Sequence, residues 1–110
     1  MGSFRLTPEV LDVVAERFKA LAEPARLRIL NALRQGERTV SELMEETGLG
    51  QANVSKHLQM LHALGFVERR KEGLYVHYSL RGEEVFQLCE IVCGRLAAEA
   101  DARGRMFQAV

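Results

Sequence analysis

Leu11, Val14, Ala15, Phe18, Leu21 and Ala22 recur at helical spacing and predict a helix over about residues 8–21 with a wide apolar stripe. Thr7 stands as its cap and Pro8 takes the first helical position, where a missing N–H costs nothing. Such a terminal helix needs a surface to lie on, in its own domain or in a second copy. Pro24 opens a second helix with Leu27, Leu30 and Leu33 directed inward, and Gly36 is placed to end it in a left-handed conformation. Thr39-Val-Ser-Glu42 has the form of a capping box, so a short third helix begins there, burying Val40, Leu43 and Met44 before Gly48 ends it.

Gly48-Leu49-Gly50 leaves room only for a tight turn before the next periodic stretch, Gly50 to Leu64. There Val54, Leu58, Leu61 and Leu64 form an inward stripe, while Gln51, Asn53, Ser55, Lys56 and His57 crowd the first two turns of the other side. A short helix, a glycine turn and a polar-faced helix together describe a helix-turn-helix over about residues 39–64. After Gly65 the period changes to alternation, with Val67 and Arg69 before Glu72-Gly73 and with Leu74, Val76, Tyr78 and Leu80 after it. A β-hairpin over about residues 66–80 follows, with its turn at Glu72-Gly73 and with Arg69, Arg70 and Lys71 just before its tip.

A last helix is expected from about residue 83 to 103, with Glu83 and Glu84 in its first turn and Gly104 as its stop. Its apolar residues, among them Val85, Phe86, Leu88, Ile91, Val92 and Leu96, cover more than one face. A peripheral helix of a small domain buries one stripe, so the surplus points to a second subunit. The expected architecture is one mainly α domain over residues 1–110 with a small hairpin, in the order α-α-α-α-β-β-α, dimerising through its terminal helices.

Composition narrows the class of function. The 110 residues are 47% hydrophobic and 27% charged, which fits one globular domain. No run approaches the roughly 18 apolar residues of a membrane span, and no signal-peptide pattern opens the chain, so a cytoplasmic protein without membrane contact is expected. The formal net charge is zero, which argues against indiscriminate binding to nucleic acid. The charge is unevenly distributed, however: residues 51–82 set Lys56, Arg69, Arg70, Lys71 and Arg81 against only Glu68 and Glu72.

Those side-chain types suit DNA. Gln51 and Asn53 can make paired hydrogen bonds to adenine, Lys56 and His57 can donate to guanine or phosphate, and Ser55 can bind either. Arg69, Arg70 and Lys71 suit phosphates or the minor groove flanking the site. The plainer reading, a solvated helix face and an ordinary charged hairpin tip, competes at each position, but the turn before the helix and the basic hairpin after it favour DNA. Nucleophile elbow, phosphate loop and metalloprotease motifs are all missing, so an enzyme is not expected.

Three segments carry a family resemblance: Leu21-Ala-Glu-Pro-Ala-Arg-Leu-Arg-Ile-Leu30, then Val54-Ser-Lys-His-Leu58 with Leu61, then Leu64-Gly-Phe-Val67 leading into Arg69-Arg70 and Tyr75 to Leu80. With the order of elements they resemble the winged-helix regulators of the ArsR/SmtB family, over roughly residues 15–80. The resemblance implies a homodimeric repressor that sets one recognition helix per subunit into successive major grooves of a palindromic, double-stranded operator. Two metal sites of the family find no match. Where some members carry Glu-Leu-Cys-Val-Cys-Asp, this chain has Glu42-Leu43-Met44-Glu45-Glu46-Thr47, and no histidine follows His77 to serve a site on the closing helix.

Cys89 and Cys93 remain, one turn apart on the closing helix. Cysteine is among the most buried residue types, so two small core or interface side chains are one reading. The other is a sensor that binds a thiophilic ion, trivalent arsenic or zinc, with a third ligand from elsewhere, or that answers an oxidant or persulfide. A bridge between i and i+4 is strained inside an intact helix, because disulfide Cβ atoms want about 3.8 Å and such neighbours sit about 5–6 Å apart. Two alternatives to the whole reading stay open: a winged helix used as a protein-interaction module, and a repressor with no thiol sensor.

Overall fold

The computed structural model describes residues 4–103, so the helix stop expected at Gly104 lies outside the described residues. Five helices and one antiparallel hairpin follow in the order α1 (Pro8–Leu21), α2 (Pro24–Leu33), α3 (Val40–Thr47), α4 (Gln51–Ala63), β1 (Val67–Glu72), β2 (Tyr75–Leu80) and α5 (Glu84–Arg103). The ends of the helices follow local chemistry. Thr7 Oγ1 accepts from the Val10 N–H ahead of α1, with Pro8 at its first position. Thr39 and Glu42 form the complete capping box of α3, the Thr39 N–H donating to the Glu42 carboxylate at 2.8 Å. Gly48 ends α3 in the left-handed region at φ 77°, a conformation that costs a residue with a Cβ more than glycine.

The core lies where α2, α3 and α4 meet the hairpin. Ile29, Leu30 and Leu33 from α2, Leu43 from α3, Val54, Leu58 and Leu61 from α4, and Val67 and Tyr78 from the hairpin are buried together. Each such side chain contributes about 1.5–3 kcal/mol on leaving water, enough for this cluster to seat α4 firmly. Val85 and Phe86 join it from the first turn of α5, and the Arg34 guanidinium lies 4.4 Å from the centroid of the Phe86 ring. The hairpin is also held from its other side. Arg38, in the loop between α2 and α3, exchanges both backbone hydrogen bonds with Tyr78, at 2.8 and 3.0 Å, and so adds a single-residue third strand.

Three expectations are corrected. Leu27 is exposed, because the buried arc of α2 runs through Ile29, Leu30, Ala32 and Leu33 and leaves Leu27 at its margin. Gly36 is not the cap of α2: the helix ends with Arg34 in right-handed geometry, and Gly36, at φ 138°, serves the turn beyond. The hairpin turn is Gly73-Leu74, since Glu72 pairs with Tyr75, and this puts Leu74 at the tip with 96% of its surface exposed. Val76, Tyr78 and Leu80 keep the inward side without it.

The terminal helices cover little of their own domain. Only Ala20 of α1 is buried, while Leu11, Val13 and Phe18 are exposed. Along α5 Ile91, Val92 and Leu96 are exposed, Ile91 to 72%. The radius of gyration is 16.2 Å, against about 13 Å for a compact chain of 100 residues. No helix among the described residues is long and apolar enough to cross a membrane.

Candidate nucleic-acid interface

Helix α4 starts at Gly50, which offers no side-chain cap, so its first-turn N–H groups lack a side-chain acceptor. Gln51, Asn53 and Lys56 are exposed along this opening stretch, and Ser55 is half-buried. Gln59 is exposed as well and was missed in the sequence reading. Its spacing from Lys56 and Ala52, three and seven residues, puts all three on one face and was the signal available. With Val54, Leu58 and Leu61 in the core, this face points away from the domain.

His57 does not belong to that face. The expectation that it crowds the outward side is corrected, because the ring retains 8% of its surface and Nδ1 lies 3.2 Å from Arg26 Nη1 of α2. A guanidinium can only donate, so Nδ1 accepts and the neutral ring carries its proton on Nε2. Burial first, then the charges of Arg26 and Lys56, push the imidazole below its ordinary basicity, with Glu23 opposing. The helical period accounts for the placement: residue 57 lies three after Val54 and four before Leu61, inside the inward stripe.

In the hairpin Arg69, Arg70 and Lys71 are all exposed but play different parts. Arg70 donates to both carboxylate oxygens of Glu37, at 2.8 Å from Nη2 and 3.2 Å from Nε, and lies 3.3 Å from Glu72. These partners hold the guanidinium even more firmly protonated, and its hydrogen bond keeps the Glu37 carboxyl below the usual carboxylate range. Arg70 therefore clasps the hairpin to the loop before α3. Arg69 and Lys71 alternate with it on the opposite face of β1, and neither has a carboxylate within ion-pair distance among the described residues. His77 lies 3.7 Å from Glu72, and His62 is exposed late in α4.

Cys89 and Cys93 are both free thiols on α5. Cys89 is half-buried against the core and Cys93 is exposed. Both line an almost wholly apolar cleft of about 280 Å³ with Leu21, Leu27, Val85, Leu88 and Val92. Among the described residues no three His, Cys, Asp or Glu side chains converge as a metal site, so one subunit supplies two thiols without a third donor.

The helix-turn-helix with its hairpin finds close counterparts among known proteins. Residues 23–69 match the model of the bacterial regulatory proteins of the arsR family. The homodimeric winged helix-turn-helix DNA-binding domain of Mb0332 from Mycobacterium bovis superposes with a TM-score of 0.72 at 35% identity, over 99% of each chain. The chain belongs to the ArsR family. It is 43% identical over 83 residues to the HTH-type transcriptional regulator Rv0324 of Mycobacterium tuberculosis, 76% of this chain. It is 40% identical over 77 residues, 70% of this chain, to a probable mercury resistance operon repressor of Streptomyces lividans. These alignments span 37% and 62% of the two regulators' own lengths. The chain is thus a winged helix-turn-helix domain of ArsR type, with α3 and α4 as the helix-turn-helix, α4 in the position of the recognition helix and the hairpin as the wing.

Proposed function

We propose that the protein is a homodimeric transcriptional repressor whose α4 helices enter successive major grooves of a palindromic operator. The observation that carries this reading is the exposed face of α4. Gln51, Asn53 and Lys56 stand in its first two turns on a helix whose opposite side is locked into the core. Ser55 at its margin, Gln59 further along and the wing residues Arg69 and Lys71 extend the contact, while Arg70 keeps the wing in place. His57 is left out of the contact set.

The second copy is argued from surface. Leu11, Val13 and Phe18 of α1 and Ile91, Val92 and Leu96 of α5 are exposed, an apolar surface that a second subunit would cover. Operator half-sites one turn apart require the two recognition helices about 34–36 Å from each other. Any change in the packing of α5 alters that spacing, and the two cysteines sit on α5. The reading therefore includes release by a thiol-reactive signal at Cys89 and Cys93: an oxidant, a persulfide, or trivalent arsenic or zinc with a third ligand from elsewhere in the dimer.

Fluorescence anisotropy of the reduced protein on DNA from its own promoter tests both parts. Affinity should fall by about 10³–10⁵ between 50 and 200 mM salt if six to ten phosphates are neutralised. Association that ignores salt would contradict the DNA reading. Release by arsenite, zinc or a persulfide donor that disappears in the Cys89→Ser/Cys93→Ser double variant supports the sensor. Tight binding that none of them releases leaves a repressor without one.

A further inference from the structure

Arg26 touches three helices. From its place in α2 its Nε–H donates to the Ala20 carbonyl in the last turn of α1, at 2.6 Å, and its Nη1 donates to His57 Nδ1 of α4 at 3.2 Å. Ala20 is the one buried residue of α1, and His57 is the one buried polar side chain among the described residues. One guanidinium thus joins the best-anchored point of a helix assigned to dimerisation with the inner face of the helix assigned to DNA. Beside it α1 and α4 are separated by an open cleft of about 480 Å³, lined by Glu16, Lys19, Ala20, Arg26, Met60, Ala63 and Leu64. Side-chain packing does not close this gap, so the fork of Arg26 is what spans it.

We propose that Arg26 is a positioning residue for the recognition helix, setting α4 against α1 through His57 Nδ1 and the Ala20 carbonyl and so carrying the placement of the dimerisation helix to the DNA-reading face. The inference rests on the DNA-binding reading above and adds to it a role for two residues outside the exposed face of α4. Geometry restricts what can replace them. Lysine at position 26 keeps the charge but lacks a planar fork with donors in two directions. At position 57 the ring must be neutral, since a proton on Nδ1 removes the acceptor and puts a second cation against the guanidinium. The charged and titratable groups around the ring are Arg26 and Glu23 from α2 and its cap, and Lys56 on α4, with Glu16 and Lys19 of α1 along the cleft that Arg26 lines. The bond is present at neutral pH and is lost as pH falls through the value of the folded ring, which lies below the ordinary 6.5.

The test uses the full chain in three forms: wild type, His57→Asn and Arg26→Lys. Asparagine presents Oδ1 near the place of Nδ1 and does not titrate. Nitrogen NMR of the His57 ring in the free protein should show the Nε2–H tautomer, and Arg26→Lys should lose that fixed tautomer while keeping its helical circular dichroism. On promoter DNA, His57→Asn should match wild type at pH 8, and wild type should weaken progressively relative to it below pH 6, by less than about tenfold at pH 5.5, because a ring less basic than its ordinary 6.5 is incompletely protonated there. Arg26→Lys should lose about tenfold on promoter DNA and little on random DNA, in line with one lost charge-assisted hydrogen bond. Parallel pH profiles for wild type and His57→Asn, a ring protonated on Nδ1 at pH 8, or unchanged promoter binding by Arg26→Lys would each overturn the inference and leave the DNA reading intact. Wild type that fails to prefer promoter DNA at any pH would remove the DNA reading, and the positioning role with it.

Discussion

His57 shows how one residue can be misplaced by its chemistry. Imidazole is common on DNA-contacting faces, yet Val54, His57, Leu58 and Leu61 follow the three- and four-residue spacing of a buried stripe, and the spacing decides. The clue was in the sequence, but the Arg26 partner that makes the burial tolerable was not. Arg26 is thirty-one residues away, and nothing in a pattern of types states which guanidinium meets which ring. Protons add a measurable consequence. The folded imidazole is less basic than the unfolded one, so the unfolded chain takes up the proton first and stability falls on acidification. The urea midpoint should therefore drop between pH 8 and pH 5.5 in wild type, and His57→Asn should remove part of that drop. A contrasting pair calibrates the core: Leu58→Ala should cost about 2–5 kcal/mol in urea unfolding, whereas Leu74→Ser at the exposed tip should change it by less than about 0.5 kcal/mol.

Elements were more legible than their edges. The capping box of α3 was visible as four residues, Thr39 to Glu42, because both of its hydrogen bonds are local. Thr39→Ala should lower stability by about 1 kcal/mol, seen as a fall of roughly 4–8 °C in melting temperature at fixed protein concentration. The exact hairpin turn was not visible. Leu74 extends the alternation of Val76, Tyr78 and Leu80 by one step, and only the pairing of Glu72 with Tyr75 shows that the strand starts later. The Arg38 bridge to Tyr78 left no trace in the pattern either, since a single extended residue has no period. The same limit applied to the wing. Three consecutive cations read as one basic group, but Arg70 spends its guanidinium on Glu37, and that carboxylate comes from a distant loop.

At the scale of the molecule, the terminal helices define what a single subunit lacks. The surplus of apolar residues on α5 was evident in sequence, and Ile91, Val92 and Leu96 are the ones left exposed. Ile91→Asp combined with Leu96→Asp should shift the sedimentation of the protein to that of a monomer and weaken promoter binding far more than binding to random DNA. A dimer that persists in this variant would move the interface elsewhere. The sheet carries a further consequence for assembly. With Arg38 against β2, the three-stranded arrangement has β1 as its open side, and a bare strand edge invites pairing with any extended chain. Here that edge reads Glu68-Arg-Arg-Lys-Glu72, too highly charged to serve as a template for aggregation. Substituting threonine or valine for Arg69 and Lys71 would remove charge from the wing and also turn a protected border into an adhesive one.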